Sequence, residues 1–146
     1  MQKGNRRSFS GGERGRMEYK FTIYGKLPSL NEFLAAEKCL YHGYSKGNAM
    51  KAKYQKIIIQ WLRVAGIKHI KSKVFINYKF YEANKKRDKD NISAVAHKFV
   101  QDALVVAGVL TNDGWQNIEG FADYFEIDKK NPRIEVTLKA LKALKA

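Results

Sequence analysis

The segment from Lys85 to Asn91 places two carboxylates and one carboxamide among four cations. If the chain stays extended after the apolar run that precedes this segment, Asp88 and Asp90 project to the same side, because side chains alternate along a strand. Mg²⁺ accepts a few carboxylate oxygens and completes its shell with water or phosphate oxygens. The pair therefore predicts a site for a hard divalent cation, surrounded by positive charge that suits a phosphate.

A helix that begins near Asn91 would carry further polar side chains on one stripe. Offsets of 4, 7 and 11 residues from Asn91 follow the helical period and lead to Val95, Lys98 and Asp102. Gly108 predicts the end of this helix, and Asp113 follows five residues later. Spacing alone does not decide whether Asp113 folds back to the start of the helix.

The same residues also have a structural explanation. Asp90 is a favourable N-cap, and Asp88 near a helix start interacts well with the helix dipole. Asp102 is late in the helix and opposes the dipole, so it could pair with a cation such as Lys98 as readily as bind a metal. Both explanations stay open on the residues alone.

In their order, these residues resemble the RusA family of Holliday-junction resolvases. The shared pattern is Asp-x-Asp-Asn, then a helix with Lys and Asp-Ala-Leu, then Gly and Asp, which here are Asp88, Asp90, Asn91, Lys98, Asp102, Ala103, Leu104, Gly108 and Asp113. The resemblance covers roughly the last two thirds of the chain, with a weaker similarity in the Pro28 to Asn31 turn.

Two departures from the family pattern concern the acids. The interval from Asp90 to Asp102 is longer by about one helical turn than in the best-known member, which keeps Lys98 and Asp102 on one face. Asn112 stands where that member has another Asp before the last acid. A site with three acids is compatible with this sequence, whereas the fourth acid of the pattern is missing.

The resemblance implies a small α/β homodimer that nicks opposing strands of four-way DNA junctions in recombination and repair, often encoded by prophages. The implied catalytic residues are Asp88, Asp90 and Asp113, which would hold Mg²⁺, and Lys98, which would neutralise the scissile phosphate. The implied DNA-binding residues are Lys85, Lys86, Arg87, Lys89, Asn91 and Lys98. Two alternatives remain: a noncatalytic nucleic-acid-binding protein with structural acids, and a metal-dependent nuclease for flaps, other branched DNA or simple duplex.

Composition agrees with a polyanionic partner. The 146 residues include 28 Lys and Arg against 14 acids, a formal charge of +14. No apolar run approaches the length of a membrane span, and no signal peptide is recognisable, so we expect a cytoplasmic protein. Cys39 is the only cysteine and cannot form an intramolecular disulfide.

Hydrophobic periodicity predicts a single α+β domain with a small mixed or antiparallel sheet and two main helices. Strands are expected at 19–23, 74–81, 121–127 and 134–138, the last two as an antiparallel pair, and helices from Met50 to Ala65 and from about Asn91 to Val106. We expect a disordered basic leader at 1–16, the domain at 17–139 and a basic tail at 140–146, read as a frayed helix.

Two further features carry open alternatives. Lysines on the helix from Met50 to Ala65 could form a solvated face or contact a phosphate backbone, and the pattern favours neither. Trp115 could stack on an exposed base, although packing of its own loop is the favoured interpretation.

Overall fold

Alternating apolar residues build a four-stranded sheet, and apolar stripes fix two long helices on it. The computed structural model describes residues 16–41 and 44–141. Its elements are β1 (Arg16–Tyr24), α1 (Leu30–Glu37), β2 (Leu40–Tyr41), β3 (Tyr44–Ser45), α2 (Lys46–Ala65), β4 (Val74–Glu82), α3 (Lys89–Val106), β5 (Ile118–Ile127) and β6 (Arg133–Leu141). The expected α+β class with a mixed sheet is confirmed.

The main sheet has the strand order β1, β6, β4, β5. Strand β4 runs parallel to β5 and antiparallel to β6, and β6 runs antiparallel to β1. Alternate side chains of β4, namely Val74, Ile76, Tyr78 and Phe80, are fully buried. An interior strand is therefore confirmed for this segment. Burial of its hydroxyl in the core raises the pKa of Tyr78.

The expected pairing of β5 with β6 is wrong. Helix α3 connects β4 to a parallel β5, which occupies one edge of β4 and leaves the other edge open. Residues 128–132 cross the end of β4, where the Asp128 amide donates to the Glu82 carbonyl at 2.8 Å. Strand β6 then enters between β4 and β1, and this interior position buries Ile134, Val136 and Leu138.

Helix α2 begins four residues before the expected Met50. The Ser45 hydroxyl accepts hydrogen bonds from the amides of Gly47 and Asn48 and so caps the first turn. The helix ends at Gly66, whose φ of 71° is the left-handed conformation that glycine adopts without strain. The expected end of this helix is therefore confirmed, and its start is corrected.

Helix α3 buries most of the predicted core stripe. Ile92, Ala96, Phe99 and Ala103 are buried as expected, together with five further apolar side chains in the same helix and the loop after it. Val106 is 63% exposed, so the last predicted core position is wrong, because the helix ends there and Val109 and Leu110 fill the core instead. Val95, expected on the polar stripe, is also buried.

A short helix, α1, precedes the hairpin of β2 and β3. Ser29 and Glu32 form a capping box, each side chain bonding to the other residue's backbone amide. The hydrogen bond from the Ser29 amide lowers the pKa of Glu32, since it favours the charged carboxylate. This box fixes the turn that follows β1.

The two ends of the domain pair with each other, since Arg16 lies opposite Leu141 in the β1 and β6 ladder. Ala140 and Leu141, expected in the tail, therefore belong to β6. Residues 1–15, 42–43 and 142–146 lie outside the described part, and with them most of the predicted leader and tail. Across the described residues, no helix combines the length and the apolar character needed to cross a membrane.

Candidate active site at the start of helix α3

Arg87 fixes the loop that carries the candidate site. Its Nε and Nη2 donate to the two carboxylate oxygens of Glu82 at 3.0 and 2.8 Å, and its Nη1 donates to the Leu27 carbonyl at 2.8 Å. Only 16% of the Arg87 side chain and 10% of the Glu82 side chain are exposed. A forked, mostly buried ion pair therefore ties residues 83–88 to the end of β4 and to the turn after β1.

Asp88 and Asp90 lie at the first turn of α3 with uncommitted carboxylates. Asp88 is the N-cap residue, in place of the expected Asp90, and its carbonyl accepts from the Ile92 amide at 3.1 Å. The Asp88 side chain makes no capping hydrogen bond. Both acids are exposed, and neither carboxylate pairs with another group in the described residues. Capping does not account for them.

An open cleft of about 630 Å³ lies beside Asp88. Lys85 and Lys89 line it together with Glu126 of β5, and the Lys89 Nζ lies 5.6 Å from the centroid of the Phe125 ring. Arg87 neutralises Glu82. The charges that remain around the cleft are the positive Lys85 and Lys89 and the negative Asp88 and Glu126. The cleft is open to solvent and carries both negative and positive side chains, as a site for a metal ion and a phosphate would.

Asp102 and Asp113 occupy a different place, at the far end of α3. Both line a groove of about 310 Å³ with Lys51 and Gln55 of α2. The Lys51 Nζ lies 2.9 Å from Asp102 Oδ2, and this ion pair is the contact made by that buried oxygen. The cation partner of Asp102 is therefore Lys51, not Lys98.

The length of α3 separates the two groups of acids. Asp88 and Asp102 are fourteen positions apart, which corresponds to about 21 Å along the helix axis. Ligands of one Mg²⁺ each lie about 2.1 Å from the ion, so acids at the two ends cannot share it. Within the described residues, no group of three or more His, Cys, Asp or Glu side chains could hold a metal. One chain does not assemble Asp88, Asp90 and Asp113.

The other predicted residues lie at varied distances from this helix start. Lys85, Lys86 and Lys89 are exposed around it, and Asn91 is half-buried beside Asp90. Lys98 is exposed on α3, eight residues and about 12 Å along the axis from Asp90. The guanidinium of Arg87 is engaged by Glu82 and Leu27, so its predicted DNA contact competes with its structural role in holding the loop.

Two features of the α3 to β5 region are not evident from sequence patterns. His97 Nε2 lies 2.8 Å from Asp123 Oδ1, and its ring packs between Tyr78 and Phe121. This pair forms because the parallel register sets Asp123 beside Tyr78. Trp115 is 95% exposed, so the favoured interpretation that it packs its loop is wrong.

The start of α3 offers two of the three carboxylates expected to hold a hard divalent cation. Asp88 and Asp90 offer carboxylate oxygens that no described side chain uses, and such oxygens are the ligands that Mg²⁺ prefers. Asp113 does not join them within one chain. A scan against protein-family models finds no match for this sequence, and a search of curated proteins finds none either.

Proposed function

We propose that this protein is a Mg²⁺-dependent, structure-specific endodeoxyribonuclease that resolves four-way DNA junctions by paired nicking in recombination and repair. The observation that carries the proposal is the pair of uncommitted carboxylates, Asp88 and Asp90, at the start of α3, directly after a loop held by the Arg87 and Glu82 ion pair. Two exposed, unpaired acids within one helical turn, in a chain of charge +14, are available to a positive ligand. Metal-assisted phosphodiester hydrolysis supplies that need.

Each residue of the site has a distinct task in this proposal. Asp88 and Asp90 would hold the ion, which supplies a bound water of lowered pKa and stabilises charge on the transferring phosphate. Lys85 and Lys89 offset the repulsion between these acids and DNA, because both lysines line the cleft beside Asp88. The Arg87 and Glu82 pair acts as a positioning element, since it fixes the loop without touching the substrate.

Asp113 enters such a site only from a second copy of the chain. Within one chain it lies in the groove of Asp102 and Lys51, a helix length away from Asp90. A homodimer is part of the proposal, and a two-fold enzyme suits a four-way junction because each site can address one of two symmetric strands. A cytoplasmic location is part of it as well.

A noncatalytic nucleic-acid-binding protein is the second candidate, and one observation favours it. The described residues of one chain gather no set of three metal-binding side chains. On this hypothesis Asp88 and Asp90 only favour the helix start through its dipole, so neutralising Asp90 would leave nucleic-acid binding intact and no metal would change the DNA. A nuclease for flaps or plain duplex would keep the same residues and differ in substrate.

Cleavage of a synthetic four-way junction beside linear duplex of the same sequence tests the proposal. Wild type, Asp90→Asn and the matched control Glu119→Gln, an acid paired with Arg16 at the far end of β5, are each assayed with Mg²⁺ or with chelator. Paired nicks in the junction only, lost with chelator and in Asp90→Asn but kept in Glu119→Gln, support the resolvase. Cleavage of duplex or flaps at equal rate supports the broader nuclease, and binding without cleavage under every metal condition contradicts both.

A further inference from the structure

Helix α2 carries cations and no acid along its whole length. Its 20 residues include five Lys or Arg side chains and neither Asp nor Glu. Lys53, Lys56 and Arg63 are exposed, and their spacing of 3 and 7 residues places them on one stripe. From Lys53 to Arg63 this stripe is about 15 Å long. We call these three residues the α2 stripe.

Nothing within the described residues neutralises the α2 stripe. The Lys53 Nζ lies 5.2 Å from the centroid of the ring of its neighbour Tyr54 and pairs with no acid there. Lys56 and Arg63 pair with no acid there, and the acid that faces α2 from α3, Asp102, is taken by Lys51. The charge of the stripe is therefore open to an external partner.

Most of the charge pattern does not serve the helix itself. Lys53 and Lys56 lie one turn apart, where like charges destabilise an isolated helix, and only Arg63, in the last turn, is favoured by the helix dipole. A solvated helix face ordinarily mixes both signs, which gives favourable pairs three and four residues apart. The stability of α2 comes instead from its buried side, where Ile58 and Leu62 are almost fully inaccessible. The like charges of Lys53 and Lys56 give the helix no stability, which points to a use outside the fold.

The sheet treats its cations differently. Arg16 pairs with Glu119 at 2.8 Å, and Arg133 pairs with Asp128 and Glu135 at 2.8 and 2.9 Å. On the sheet, then, both of these arginines are matched by acids. The α2 stripe, in contrast, is unmatched within the described residues and lies on the helix that packs against α3 through stacked Tyr54 and Phe99 rings.

We propose that the α2 stripe binds the phosphate backbone of one duplex arm of the DNA substrate. The inference deepens the proposed function and rests on it for the identity of the polyanion. One strand of B-DNA carries a phosphate about every 3.4 Å of rise, so the stripe spans about four phosphates. Because α2 packs on α3, a duplex held there lies on the same helical layer as Asp88 and Asp90.

The salt dependence of DNA binding tests this assignment. The triple variant Lys53→Gln, Lys56→Gln, Arg63→Gln is compared with a control that removes the same charge from the sheet: Lys20→Gln, Lys79→Gln, Lys139→Gln. Affinity for a four-way junction and for duplex is measured with chelator across a range of salt. Each lost phosphate contact lowers the slope of log K against log salt by about 0.9, so the stripe variant is expected to lose about 2 to 3 in slope and the control less than about 1.

The charge-preserving variant Lys53→Arg, Lys56→Arg, Arg63→Lys separates charge from packing, and it is expected to keep the wild-type slope. A stripe variant with the control's slope overturns the inference, and so does a charge-preserving variant that loses slope. If the triple variant does not fold, Lys56→Gln alone replaces it. The expected change in slope is then about 0.9, and an unchanged slope overturns the inference. If wild type cleaves the junction and the stripe variant keeps the wild-type slope, only the DNA-binding role of the α2 stripe is refuted. If wild type binds no DNA at all, the proposed function is refuted.

Discussion

Asp90 and Asp113 lie toward opposite ends of helix α3, although the family pattern brings them together as one site. Asp90 is the second residue of the helix, and Asp113 follows its last residue by seven positions and shares a groove with Asp102 and Lys51. The distance between the two ends, set by helix length, excludes a common ion within one chain. The joint catalytic role that we propose for them therefore requires two copies of the chain.

Both acids are expected to be required for cleavage and neither for binding. Asp90→Asn and Asp113→Asn should each lower junction cleavage by about 10³-fold or more, because a lost metal ligand removes several kcal/mol of transition-state stabilisation. Junction affinity in chelator should stay within about threefold of wild type, since the phosphate contacts come from lysines. Cleavage rates and titrations with labelled junction check this. Full activity of Asp113→Asn would remove that acid from the site.

Arg87 is expected to act on stability more than on DNA contact. Arg87→Met leaves Glu82 mostly buried and without its partner, which should lower the free energy of unfolding by about 3 kcal/mol. Replacing both residues with apolar side chains should recover much of that loss. Denaturant unfolding measures both variants, with Lys86→Gln as an exposed neighbouring control that should change stability by about 0.5 kcal/mol or less. An Arg87→Met protein of native stability that fails to bind DNA would assign Arg87 to the substrate instead.

Asp102 is expected to be a partner of Lys51 and not a catalytic acid. Both side chains are partly exposed, so their ion pair should contribute about 1 kcal/mol or less to stability. A double-mutant cycle with Asp102→Asn and Lys51→Met should show this coupling, while junction cleavage by Asp102→Asn stays within about tenfold of wild type. Loss of cleavage in Asp102→Asn with unchanged stability would contradict the structural role.

Trp115 is expected to contact unpaired bases at the branch point. The Trp115 side chain is almost fully exposed and makes little contribution to the core. Trp115→Ala should therefore leave the free energy of unfolding within about 0.5 kcal/mol of wild type. Loss of a stacked base should weaken junction binding by about 1 to 3 kcal/mol, leave duplex binding unchanged and be restored by Trp115→Phe. Trp61, half-buried with its ring 5.0 Å from Tyr24, is the contrast, since its truncation should lower stability. Equal loss of duplex and junction affinity would contradict base stacking.

Local chemistry made much of the fold predictable from the sequence. The alternation around Tyr78 and the apolar stripe of α3 depend on residues close in the chain, and both were confirmed except at Val106, where the helix ends. The order of strands was not predictable in this way, because a short turn at Asn131 and Pro132 suits a hairpin as well as a crossing over β4. Only the parallel β5 on one edge of β4 decides between them.

The candidate site was predictable in its residue types and only partly in its geometry. Asp88 and Asp90 are two positions apart, so both fall at one helix start, but the extended segment expected to carry them is wrong because α3 already begins at Lys89. Asp102 pairs with Lys51, which lies 51 positions earlier in the sequence. This pair depends on how α2 packs on α3 and so could not be predicted from spacing. The sequence offers Arg87 several acids within a few residues as possible partners. Its partner is Glu82, because the loop returns Arg87 to the end of β4.

Mixing two inactive variants tests the central claim most directly. Asp90→Asn and Asp113→Asn chains are co-folded at equal amounts, and nicking of a four-way junction in Mg²⁺ is compared with each variant alone and with wild type. If Asp88 and Asp90 of one copy work with Asp113 of the other, each mixed dimer keeps one intact site, and the mixture should nick at about a quarter of the wild-type rate because half of randomly paired dimers are mixed. A mixture as inactive as its components, beside an active wild type, would contradict a site shared between two copies, and an inactive wild type would contradict the nuclease itself.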